Sequence, residues 1–132
     1  MKERTNLIFI DMYTLNENEM VTTLYKRDNN LDQKDNLDTL PEKKAVYGLF
    51  GRMQMSPANC RFIGVAQNLR AAVKLHYNDA ESDKSLLEFM RSIKIKQIVY
   101  LELKEGEDAD AIASSWRERF KPECNAELNK VY

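Results

Sequence analysis

Arg61-Phe62-Ile63-Gly64-Val65-Ala66-Gln67-Asn68-Leu69-Arg70-Ala71-Ala72-Val73-Lys74-Leu75-His76-Tyr77 is the stretch whose reading decides the fold. Its first five residues carry the aromatic and β-branched side chains that suit a pleated, half-buried surface. Asn68 then offers a short amide that can take up an orphan N–H of a helix's first turn. From there Leu69, Val73, His76 and Tyr77 recur on one helical stripe, with Arg70 and Lys74 one turn apart on the opposite side. The segment therefore reads as strand, cap, amphipathic helix. Upstream, Ala45–Phe50 reads as another strand, and the Gly, Ser, Pro and Asn of residues 51–59 make the link a hairpin with a long tip. Downstream, Ser82 or Asp83 opens a helix with Leu86, Leu87, Met90 and Ile93 on its apolar face. Residues 98–103 (IVYLEL) lack the alternation of a solvated strand, which predicts a central position with both faces covered. Asp108 opens a last helix with Ala109, Ile112, Ala113, Trp116 and Phe120 on one stripe, and Pro122 ends it. The prediction is an α/β (α+β) fold: a small mixed central sheet of about three strands flanked by three helices.

The N-terminal third is less regular. Residues 7–15 (LIFIDMYTL) and 20–25 (MVTTLY) read as a hairpin turning at Asn16-Glu17-Asn18, although Met20, Val21 and Leu24 also lie near helical spacing. Residues 28–38 (DNNLDQKDNLD) hold two apolar side chains and no periodicity, as a solvated connector does. The chain accordingly divides into an extension over residues 1–39 and a domain over residues 40–132.

In 132 residues, 43% apolar and 31% charged, one domain with a sizeable core is expected to fold without metal or disulfide staples. Cys60 and Cys124 are too few and too far apart for a disulfide framework or a zinc site, and free thiols suit a reducing cytoplasm. The longest apolar run, Leu7-Ile8-Phe9-Ile10, is too short for a membrane span. With 20 basic and 21 acidic side chains there is no global field for nucleic acid. The excess is local: residues 1–40 carry 5 basic and 8 acidic groups, the remainder 15 and 13. Arg70, Lys74, Arg91, Lys94 and Lys96 are the candidates for a phosphate-contacting patch on DNA or RNA, against the plainer reading of solvated helix faces.

Three blocks, in order across residues 40–129, resemble the GIY-YIG nuclease domain. Leu40-Pro41-Glu42-Lys43-Lys44-Ala45-Val46-Tyr47 is similar to the family's "LP…PGVY" entry, and Phe62-Ile63-Gly64-Val65-Ala66-Gln67-Asn68-Leu69 to its "YVGxAxNL" strand and helix start. Phe120-Lys121-Pro122-Glu123-Cys124-Asn125 is similar to its closing "kPxxN", and His76 falls where many members have a histidine. The resemblance implies a cleft in which two motif tyrosines approach the scissile phosphate, an arginine on the first helix neutralises it, and a glutamate on the last helix binds a divalent metal.

The chain departs from that pattern at three of the four groups. Tyr47 matches the first tyrosine, but Phe62 replaces the second and has no hydroxyl. The arginine position, three residues after Leu69, is Ala72, and the glutamate position, twelve before Asn125, is Ala113. Arg70 is two residues off, about 200° around the helix, and is a poor substitute. Asp110, one turn before Ala113, is the only nearby carboxylate for the metal side. The reading that follows is a catalytically inactive domain with a vestigial cleft of Tyr47, Phe62, Gly64, Ala72, His76, Ala113 and Asn125, no cofactor, and a role in binding nucleic acid or protein. A divergent magnesium-dependent nuclease using Tyr47, His76 and Asp110 is the first alternative. A protein-interaction or assembly subunit is the second. Structural roles compete throughout: Tyr47 as core with its hydroxyl at an edge, His76 as a hydrogen-bonded packing residue, Asn125 as a brace for the last helix.

Overall fold

The hairpin of residues 45–66 builds the sheet because its two strands alternate apolar side chains to both faces. In the computed structural model, which describes residues 3–5, 14–16, 18–24, 36–53, 58–92 and 94–122, ten elements follow in order. They are β1 (Glu3–Thr5), β2 (Thr14–Asn16), β3 (Met20–Leu24), a 3-10 turn (Leu37–Thr39), β4 (Ala45–Arg52), β5 (Asn59–Ala66), α1 (Leu69–His76), α2 (Lys84–Arg91), β6 (Ile95–Glu102) and α3 (Ala109–Phe120). The fold is α+β, a four-stranded sheet in the order β3-β6-β4-β5 with three helices. Every pairing is antiparallel, so the sheet is not mixed, and it has four strands rather than three. As the apolar run at 98–103 predicts, β6 is an interior strand.

The fourth strand comes from the N-terminal segment. β3 pairs with β6, Met20 opposite Tyr100 through Leu24 opposite Lys96, which overturns the helical alternative there. The expected hairpin between residues 7–15 and 20–25 also changes: β2 pairs with β1 in a separate two-stranded sheet, while residues 7–13 lie outside the described residues. Glu19, buried between β2 and β3, receives two bonds from the Arg119 guanidinium at 2.6 and 2.8 Å, so this segment is fastened to α3 as well as to β6. Such a bidentate, charge-assisted pair is among the stronger polar contacts available to a protein.

Helix starts follow the sequence closely. Asn68 accepts from the Ala71 N–H at 3.0 Å, Asp83 from Leu86 at 3.0 Å, and Asp108 from both Asp110 and Ala111. α3 ends with Lys121 in the left-handed region at φ 49°, immediately before Pro122. Strand alternation then sorts the core into two layers. Tyr47, Leu49, Phe62 and Ile98 face α1 and α2, packing with Leu69, Ala72, Val73, Leu86, Phe89 and Met90. Val46, Phe50, Ile63, Val65 and Val99 face α3, packing with Ala113, Trp116 and Phe120.

Candidate functional site

Tyr47 and Gly64 are direct partners across β4 and β5, and both lie on the α1 face with Phe62. A Cβ at position 64 would come within 2.6 Å of the Phe62 ring and 3.2 Å of the Tyr47 ring. Glycine at that position is what lets the two rings close over the sheet. α1 brings His76 into the same space: the ring centroids stand 5.9 Å apart for Tyr47 and Phe62, 5.7 Å for Tyr47 and His76, and 5.5 Å for Phe62 and His76.

These residues are joined by a hydrogen-bonded chain. His76 Nδ1 is 2.5 Å from Glu81 Oε1, and His76 Nε2 is 2.5 Å from the Tyr47 hydroxyl. With Glu81 ionised its oxygens only accept, so Nδ1–H donates to Glu81 and Nε2 is the acceptor for the Tyr47 O–H. The second Glu81 oxygen accepts from the Asp83 N–H at 3.0 Å, tying the chain to the residue that caps α2. Tyr47, His76 and Glu81 are each 0% exposed.

A carboxylate, an imidazole and a hydroxyl in this order form the arrangement that activates a nucleophile or base when the hydroxyl faces a substrate. Here it faces the core. The chain satisfies three buried polar groups, each of which would be costly if left without a partner.

Ala72 is buried beside this cluster, on the α1 face. Ala113 belongs to the other layer, among Val46, Phe50, Ile63, Trp116 and Phe120. Tyr47, Phe62, Gly64, Ala72 and His76 therefore come together, and Ala113 stands across the sheet from them. Asn125 and Cys124 lie outside the described residues, and Cys60 is a buried free thiol. Asp110 is exposed on the first turn of α3, beside Lys44, Gln67, Glu107 and Asp108, on the helix that packs against the opposite face of the sheet from the Tyr47 layer. Position 113 offers a metal no oxygen ligand, so the residues present do not fit the metal site that the resemblance implies. Among the described residues no group of three or more His, Cys, Asp or Glu side chains is placed to hold a metal ion, and no helix is long and apolar enough to cross a membrane.

The five basic candidates separate. Arg70 donates to the Leu40 carbonyl at 2.8 Å and to Glu42 at 3.1 Å, and Lys74 to Asp38 at 2.5 Å, so both hold the segment before β4 against α1. The Lys74 ammonium, by hydrogen bond and by charge, holds the Asp38 carboxyl below its usual range. Arg91 makes two bonds to the Tyr77 carbonyl and one to Asp79. Lys96 is buried and donates to the Ser92 carbonyl; burial first, and then the charge of Lys94, lower its pKa to about 8. Lys94 is exposed.

Two residues had little sequence signal. Glu81 sits in a turn rich in Asn and Asp, where a carboxylate reads as solvated, and only its spacing of five from the lone histidine hints at a partner. Arg61 takes its position from an irregularity in pairing: Leu49 pairs with Phe62 but Phe50 with Cys60, so Arg61 is an extra residue in a bulge. Its guanidinium turns toward α2, donates to the Ser85 hydroxyl and stands 5.8 Å from the centre of the Phe89 ring. The chain matches no protein-family model, no curated protein and no solved structure, so this geometry carries the functional reading.

Proposed function

We propose that this chain is a non-catalytic binding domain of GIY-YIG type, in which the place of the nuclease cleft has become part of the core. The observation that carries the reading is the burial of the Tyr47 hydroxyl, which is committed to His76 and has no path to a phosphodiester. A general base must come within hydrogen-bond reach of the group it deprotonates. Phe62 and Ala72, in the same layer, add that neither a second hydroxyl nor a phosphate-binding cation stands beside Tyr47, and Ala113, across the sheet, brings this site no metal ligand. Positioning and electrostatic stabilisation supply nearly all the catalysis of phosphoryl transfer, and those groups would have supplied both.

Binding then falls to the exposed surface. With Arg70, Lys74 and Arg91 held in ion pairs, contact with DNA or RNA is weak and local. The test is incubation of the purified chain with single- and double-stranded DNA in magnesium or manganese, expected to leave the substrate intact, alongside binding measured over a range of salt. Cleavage by the parent that is lost in Tyr47→Phe would overturn the non-catalytic reading. Absence of any salt-dependent binding would remove the nucleic-acid part and favour a protein partner.

A further inference from the structure

A second polar cluster lies on the same sheet face, beyond the buried chain and open to solvent. A cleft of about 270 Å³ is lined by Arg61, Ser85, Glu88, Phe89, Ser92 and Lys94. From this convergence we infer an anion site that takes a terminal phosphate group, a phosphomonoester, independent of any nuclease ancestry.

The construction begins with backbone. The bulge at Arg61 turns a long cation toward α2, where strict alternation would have sent it to the α3 side. Bulges commonly re-aim a side chain in this way beside functional sites. Gly51 does the corresponding work on β4: a Cβ there would overlap the Phe89 ring and lie 3.6 Å from Lys94 Cδ. The glycine lets Phe89 lie close against the strand as an apolar floor and lets the Lys94 stem run alongside.

Charge favours an anion. Arg61 and Lys94 line the cleft, and Lys96 lies close enough for Lys94 to depress its ionisation, against the single carboxylate of Glu88. The C-terminal end of α2 also points its partial negative charge this way. That charge is muted locally: Ser92 donates its hydroxyl to the Phe89 carbonyl at 2.7 Å, and Lys96 donates to the Ser92 carbonyl. An anion is drawn by the two cations and repelled by the Glu88 carboxylate in proportion to its own charge, so the charges favour an anion without fixing its valence. What singles out a phosphate is geometry: its tetrahedral oxygens can accept at once from the Lys94 ammonium, the Ser85 hydroxyl and the Arg61 guanidinium that already reaches Ser85. The cleft lies just under the roughly 300 Å³ at which pockets for drug-sized ligands begin, which suits a phosphate with a short attachment.

The test is amide-resolved NMR titration of the full chain at constant ionic strength. The probes are inorganic phosphate, a 5′-phosphorylated tetranucleotide and its 5′-hydroxyl twin. Saturable shifts are expected at Ser85, Ser92 and Lys94, with the phosphorylated oligonucleotide binding and its twin not. Affinity is expected to fall about tenfold in Arg61→Gln and in Lys94→Gln, the worth of one charge-assisted bond. Glu88→Gln is expected to tighten binding, and affinity is expected to drop below pH 6 as the dianion protonates. Lys94 and Glu88 are exposed, so those two variants decide the matter even if Arg61→Gln does not fold. Shifts scattered over surface lysines, equal binding of both oligonucleotides, indifference to Lys94→Gln, or no tightening in Glu88→Gln would each overturn the site.

Discussion

The two faces of one sheet solve the burial problem differently. Toward α3, β4 and β5 present Val46, Phe50, Ile63 and Val65 to Ala113, Trp116 and Phe120, and the buried polar side chains on this face are held in pairs, Glu19 by Arg119 and Gln97, opposite Phe50, by the Thr23 hydroxyl. Aromatic edges do the fitting there: Phe120 meets Phe50 at 89° and Trp116 at 81°. Toward α1 and α2, the same strands bury Tyr47 with His76 and Glu81, and further along β6 they bury Lys96. An apolar layer tolerates small shifts because dispersion and water exclusion are non-directional. A buried polar chain does not, because a donor moved out of reach loses its bond while keeping its desolvation cost. The polar face is therefore expected to respond to single-atom changes that the apolar face would absorb.

The largest effect expected is from placing charge in either layer at the positions that the proposed nuclease resemblance singles out. Ala113→Glu puts a carboxylate among Val46, Ile63 and Trp116, and Ala72→Arg puts a guanidinium against the Tyr47 cluster. Each should cost on the order of 4 kcal/mol or more, a large part of a domain's stability. Urea unfolding monitored by circular dichroism would show the loss as a lower midpoint. Placing tyrosine, arginine and glutamate together at 62, 72 and 113 is thus expected to yield an unfolded chain rather than a nuclease. A folded triple variant would show that both layers can open into a cleft.

Next comes His76→Ala against Trp116→Ala, one deletion on each face. Both should cost about 3–5 kcal/mol, for different reasons: the first strands a buried hydroxyl and a buried carboxylate, the second leaves a cavity. Phenylalanine separates them. Trp116→Phe should recover much of its loss by refilling volume, whereas His76→Phe should not, because Glu81 Oε1 and the Tyr47 hydroxyl both lose their bonds to the imidazole. Equal recovery at both sites, read from unfolding midpoints, would erase the distinction between the faces. Tyr47→Phe is smaller, about 1–3 kcal/mol, since it removes one oxygen and leaves only Nε2 without a donor.

Most of the architecture was legible because it rests on local chemistry. Caps at Asn68, Asp83 and Asp108, apolar stripes on three helices and the 45–66 hairpin all depend on residues near one another in sequence. What escaped depends on distant pairing. Residues 20–24 read as a hairpin partner of their neighbours, yet their register is set by β6, some seventy-five residues later. The same limit applies to the site. Tyr47, Phe62 and His76 could be singled out by type and spacing, while Glu81 had no signal until α1 and the turn after it folded back on the sheet. Arg61 needed the bulge, which a period-two reading places on the wrong face.

The smallest prediction concerns Lys96, the one buried lysine or arginine among the described residues of the polar face. Burial, aided by Lys94, lowers its pKa from 10.5 to about 8. Between those values the unfolded chain holds a proton that the folded chain has given up, so stability from this group rises as pH rises through the window. Below pH 8 the folded lysine is charged and its desolvation cost is fully present; above pH 10.5 both states are neutral and the cost is gone. Lys96→Met, which keeps the stem and drops the ammonium, should therefore gain most over the parent near pH 7, less the bond to the Ser92 carbonyl that it forfeits. That advantage should shrink between pH 8 and 10.5. Other lysines and tyrosines titrate in the same range, but they are common to both proteins and cancel in the difference of melting temperatures. A difference that stays flat from pH 7 to 10 would mean that the ammonium is as well solvated by its neighbours as by water, and the polar face would then hold no uncompensated charge at all.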